Sequence, residues 1–88
     1  MKADYGLFFL TDECSGCLKM KPVMEKLYDE GYEIKFIDFT VNRRFCVSHR
    51  VTSVPTLILK TNKGVEVKRW VGRVRPEEIK RFLNHAKV

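Results

Sequence analysis

The 88-residue chain has no hydrophobic run long enough to cross a membrane. Its apolar opening stretch, Tyr5 to Leu10, is also too short for a signal-peptide core, so the sequence reads as cytoplasmic with no membrane partner. It has no linker, low-complexity tract or internal repeat. A chain of this length encloses a single hydrophobic core, and residues 1–88 are expected to form one domain. Lys and Arg form no continuous run, and no zinc-finger, RNA-recognition or basic-zipper pattern accompanies them, which argues against a nucleic-acid partner. Cysteine is scarce and odd in number, three in all, which argues against a structural disulfide scaffold. In a reducing compartment a close cysteine pair reads instead as redox or metal chemistry.

What the chain does contain is enough apolar material to fold unaided. Apolar residues make up 44% of it, with six Phe, three Tyr and one Trp supplying bulk. Its formal net charge of +6 favours acidic partner surfaces. The near-continuous apolar run from Tyr5 to Leu10 predicts a central strand covered on both faces, ended by Thr11-Asp12-Glu13. Met20, Val23, Met24 and Leu27 then recur at helical spacing between Ser15 and Glu30, with Gly31 as the stop. Glu33 to Phe39 predicts a second buried strand, parallel to the first because a helix crosses between them. Asn42 is placed to cap a short helix running to about His49, with Phe45 and Cys46 on its apolar face. Thr56 to Lys60 and Val65 to Val71 predict an antiparallel hairpin turning at Thr61-Asn62-Lys63-Gly64. Pro76 opens a last helix, with Glu77 and Glu78 suiting its positive end and Ile79, Phe82, Leu83 and Ala86 sharing one face. The order β-α-β-α-β-β-α calls for an α/β fold, a four-stranded mixed sheet with helices on both faces.

The chemistry concentrates in Cys14-Ser15-Gly16-Cys17, at the junction of a strand end and a helix start. Unpaired backbone N–H groups and the helix dipole there stabilise a thiolate, which makes Cys14 the expected nucleophile. Two intervening residues bring the second sulfur back by one turn, so that Cys17 is placed to resolve a mixed disulfide on Cys14. Lys19 and Lys21 would favour the thiolate and Glu13 would oppose it, although such residues are more often plain solvated charges. Val54-Pro55-Thr56 puts a proline at the head of a β-rich run, which implies a cis bond or a sheet edge. The residues alone leave cis and trans open.

The CxxC, Pro22 five positions after it, Val54-Pro55-Thr56, the hairpin with Gly64 and then Val71-Gly72 together resemble thioredoxins across nearly the whole chain. The resemblance implies a thioredoxin-like fold. It also implies that Pro55 is cis and faces the cysteines, and that backbone groups at Val54 and Pro55 hold a substrate strand. Two departures stand out. Glu13 and Ser15-Gly16 occupy the places of the family's Trp and Gly-Pro, and the family's buried acid falls within Leu7-Phe8-Phe9. The short N-terminus looks like glutaredoxins and the redoxins that reduce ribonucleotide reductase. Trp70-Val71-Gly72 and Arg75-Pro76-Glu77 are similar to the Trp-Ser-Gly-Phe-Arg-Pro stretch of those redoxins, with one residue inserted. The Gly-Gly-acid motif with which glutaredoxins hold glutathione does not follow the hairpin.

The resulting expectation is a monomeric thiol–disulfide oxidoreductase that reduces protein disulfides and needs no cofactor. Ribonucleotide reductase is one candidate substrate, and a thioredoxin-reductase-like flavoprotein or glutathione the reductant. Three other readings stay open: a glutathione-dependent glutaredoxin, a Cys3His zinc module built from Cys14, Cys17, Cys46 and His49, and a redox-inactive adaptor. The preferred reading of Cys46 is a small core residue, and that of His49 a surface imidazole at a helix end. Met20 and Met24 read as core, and Trp70 as half-buried packing or the lining of a groove.

Overall fold

A computed structural model describes residues 1–86. It contains β1 (Tyr5–Leu10), α1 (Ser15–Asp29), β2 (Ile34–Asp38), α2 (Arg43–Ser48), β3 (Thr56–Lys60), β4 (Glu66–Val71) and α3 (Pro76–Phe82). The element order and the mixed four-stranded sheet are those expected. The strands lie in the order β2-β1-β3-β4. β1 pairs parallel with β2 and antiparallel with β3, and β3 pairs antiparallel with β4.

β1 and β3 are the inner strands, so both of their faces are covered, and this is why they are the two most apolar segments. Their side chains alternate between two cores. Phe8, Leu10, Leu57 and Leu59 join Met20, Met24 and Leu27 of α1 and Ile79 of α3 on one face. Leu7, Phe9 and Ile58 join Cys46 and Val51 on the other.

Three details differ from the sequence expectation. β2 is parallel to β1 but is an edge strand rather than a buried one, and only Ile34 of its residues is buried. Phe36 partly compensates by packing edge-on against its register partner Phe8, with ring centroids 5.8 Å apart. Asn42 stands at the cap position of α2, yet its side chain donates to the Asp38 carbonyl and makes no cap hydrogen bond. α3 ends at Phe82, so the predicted helical face is cut short. Leu83 is buried in extended backbone that bridges Ala3, and Ala86 is exposed.

Candidate active site

β1 delivers the chain to the carboxyl edge of the sheet, and Thr11-Asp12-Glu13 turns it into α1. Cys14 is the N-cap of that helix, with extended backbone (φ −102°, ψ 117°). Its carbonyl accepts the first helical bond, from the Leu18 amide at 3.0 Å. Helix N-termini leave amides without intrahelical partners, and here the Cys17 N–H donates to the Cys14 Sγ at 3.1 Å. The sulfur thus accepts a backbone hydrogen bond at the positive end of the helix dipole.

The loop after α2 closes the other side of this sulfur. The Val54–Pro55 peptide is cis, and the Val54 carbonyl lies 3.6 Å from the Cys14 Sγ. The Thr56 hydroxyl donates to the Ser53 carbonyl at 2.8 Å and pins the loop from within. Gly16 explains how the loop comes so close. A Cβ at that position would lie 3.2 Å from the Pro55 Cδ, tighter than ordinary side-chain packing. The structure thus brings together Cys14, Ser15, Gly16, Cys17, Val54 and Pro55.

The two sulfurs differ in environment. Cys14 is half-buried, whereas Cys17 is fully enclosed in the α1 face of the core. Burial, and then its contact with Cys14, push the Cys17 thiol up to about 11. Among the described residues Thr56 is the only buried polar or charged one, so no buried carboxylate stands behind the pair. Phe8 fills the centre of the segment where the family resemblance places that acid.

The Cys3His set is not brought together. Cys46 points into the opposite core, beside Phe9 and Ile58. His49 Nδ1 pairs with the Phe45 carbonyl at 2.9 Å and its Nε2 with Lys60 Nζ at 3.1 Å. Among the described residues no three His, Cys, Asp or Glu are grouped to hold a metal. Trp70 is half-buried and packs edge-on against Phe82.

Sequence reasoning left Val71-Gly72 without a role. The Gly72 amide donates to the Pro55 carbonyl at 2.8 Å, and Val71 pairs with Thr56 while remaining 66% exposed. The signal was present in a β-rich run ending on glycine, since Gly72 adopts φ +97°.

A four-stranded mixed sheet carrying Cys-x-x-Cys at the start of its first helix, opposite a cis-proline loop, defines a thioredoxin-like fold. The family model described as a thioredoxin-like domain matches residues 3–87, and the chain belongs to that family. Thioredoxin 1 from Thermosipho africanus is similar at 25% identity and a TM-score of 0.76, over 89% of this chain and 88% of that one. A mutant thioredoxin from Halobacterium salinarum is 27% identical with a TM-score of 0.81, over 91% of this chain and 71% of that one. Fasciola hepatica thioredoxin is 26% identical with a TM-score of 0.81, over 92% and 83%. No curated protein matches the sequence significantly. Family membership and these neighbours support thiol oxidoreductase chemistry in general. Among the described residues no helix is long and apolar enough to cross a membrane.

Proposed function

We propose that the protein reduces disulfides of other proteins through Cys14 and Cys17. The observation that carries this reading is the placement of the Cys14 sulfur, 3.1 Å from the Cys17 amide and 3.6 Å from the Val54 carbonyl. The Cys14 thiolate attacks one sulfur of the substrate disulfide, forming a mixed disulfide and releasing the first substrate thiol. Cys17 loses its proton and attacks the Cys14 sulfur, which forms the Cys14–Cys17 disulfide and releases the second thiol. One protein dithiol is oxidised and one substrate disulfide is reduced. Val54 and Pro55 align the substrate strand beside the sulfur, and Ser15-Gly16 set the turn that holds the two cysteines together.

With no buried carboxylate behind it among the described residues, Cys17 passes its proton to solvent or to the departing thiolate. In this reading residues 1–88 work as one monomeric domain in the cytoplasm. A thioredoxin-reductase-like flavoprotein or glutathione regenerates the dithiol, and ribonucleotide reductase is a candidate substrate. Cys17→Ser tests the order of attack. It is expected to accumulate mixed disulfides through Cys14, resolvable by mass spectrometry, whereas Cys14→Ser accumulates none and turns nothing over. Turnover retained by Cys14→Ser would overturn the reading.

A further inference from the structure

The cations and anions of this chain are unevenly divided between its two halves. Residues 39–76 hold nine Lys and Arg against one carboxylate, Glu66, while residues 1–38 hold five Lys against eight acids. The sheet order puts β4 at one edge and β2 at the other, with Asp4 the exception to the separation, since its carboxylate accepts from the Asn62 amide in the β3–β4 turn at 2.7 Å. Among the described residues Arg69 is the only one of those nine cations in an ion pair. Its guanidinium meets Glu66 at 2.8 Å and also donates to the carbonyls of His49 and Arg50. Among the described residues the remaining eight form no ion pair, although Lys60 lies within electrostatic reach of Glu66, and most are exposed.

The boundary between the two fields falls at the redox sulfur. Asp12 and Glu13, both exposed, immediately precede Cys14. On the other side the Val54–Pro55 loop is tied by the Gly72 amide to the end of β4, where exposed Val71 leads into exposed Arg73 and Arg75. A chain laid across Cys14 and Val54 therefore meets carboxylates at one shoulder and an apolar, then cationic, shelf at the other.

Resting on the dithiol reading above, we propose that the cognate substrates are protein disulfides whose cysteine is flanked on one side by acidic residues, and that Arg73 on the β4 shelf selects them. Like charge at Asp12 and Glu13 excludes acids on the other side, which also fixes the direction in which the substrate lies. Unpaired cations beside the reacting atom raise the encounter rate with such partners, and salt screens the effect within about 10 Å at 0.1 M.

The test uses pre-reduced protein in single turnover against symmetric disulfide dimers of one short peptide. Four versions carry neutral flanks, acids N-terminal to the cysteine, acids C-terminal to it, or lysines. One protein dithiol converts one dimer into two peptide thiols, so no other reductant enters. One of the two acidic peptides is expected to exceed the neutral one about tenfold in second-order rate constant at low salt, with the advantage shrinking as salt rises. Arg73→Glu is expected to bring that ratio to about one. Lys63→Glu, the same change of charge in the hairpin turn at the far end of β3 and β4, is expected to keep it within about twofold. Equal rates for all four peptides overturn the substrate class while leaving the dithiol reading intact. Equal losses in the two variants overturn the assignment to Arg73. No reduction of any peptide overturns the underlying reading instead. A single-stranded oligonucleotide that binds this edge, with no preference among the peptides, would make it a nucleic-acid surface and overturn the proposal.

Discussion

The amide of Cys17 donates to the sulfur of Cys14 at 3.1 Å, while the sulfur of Cys17 is itself fully buried beneath it. One residue thus gives its amide to its partner's sulfur and keeps its own thiol away from water. The asymmetry comes from the helix start. Cys14 caps the first turn and faces outward, and Cys17, three residues on, shares the buried stripe of α1 with Met20, Met24 and Leu27.

The pH dependence of the second step follows from that burial. Desolvation is the largest cause of the rise of Cys17 to about 11, and it persists when Cys14 is tied up in a mixed disulfide. Far below its pKa a thiol gains thiolate tenfold per pH unit, so the release of the second thiol is expected to speed up about tenfold per unit between about pH 7 and about pH 9. Stopped-flow or quenched single turnover reads this slope. The linked effect on stability has the opposite sense. A pKa raised from 9.0 leaves the reduced fold at full stability below that pH and weakens it as pH climbs toward about 11. Cys17→Ser is expected to remove that share of the loss in urea titrations at the two pH values.

Cys46 is expected to be chemically silent in the native protein. It is 2% exposed, and burial, with the charge of Asp38 adding to it, pushes its thiol up. Limited alkylation followed by peptide mapping should therefore label Cys14 first. Cys46 should react about a hundredfold more slowly, until denaturant opens the α2 face.

Phe8 lies within Leu7-Phe8-Phe9, the segment where the resemblance to thioredoxins places a buried acid, and its role is packing. It is fully buried in the middle of β1 and packs edge-on against Phe36 of the edge strand. Phe8→Ala is expected to cost about 3–5 kcal/mol, because the inner strand and both flanking helices leave little freedom to collapse around the void. The midpoint of urea unfolding checks it. A loss below about 1 kcal/mol would mean that the site repacks.

Gly31 is the hinge between α1 and β2. Its φ of +103° lies where side chains are strained, and a Cβ there would point into the ring of His85, which is hydrogen-bonded to the Glu30 carbonyl. Gly31→Ala is expected to destabilise the protein by more than the roughly 0.4–1 kcal/mol that a compatible Gly-to-Ala change would contribute in the other direction. Thermal unfolding of the reduced form measures it.

Much of the fold was legible because local and global signals agree. The run Leu7-Phe8-Phe9-Leu10 reads as an inner strand and is one, and the spacing of Met20, Met24 and Leu27 marks the face of α1 that meets the sheet. β2 misled because the alternation of Ile34, Phe36 and Ile37 reports strand, whereas depth depends on neighbours that only the topology supplies. Leu83 misled for a related reason. It is apolar at the expected helical spacing, yet pairing with Ala3 draws it out of the helix. At the site, Cys14 and Cys17 announced themselves by spacing. The closeness of Gly16 to Pro55 and the tie from Gly72 to Pro55 are long-range relations that no local window contains.

The central claim, that Cys14 and Cys17 form the working redox pair, is tested most directly by equilibrating the purified protein in defined thiol/disulfide buffers and mapping alkylated cysteines by mass spectrometry. The account predicts that these two thiols disappear together, Cys46 staying reduced, at a potential between about −270 and −200 mV. A pair that never oxidises across that range, or an oxidation that consumes Cys46 instead, would contradict it.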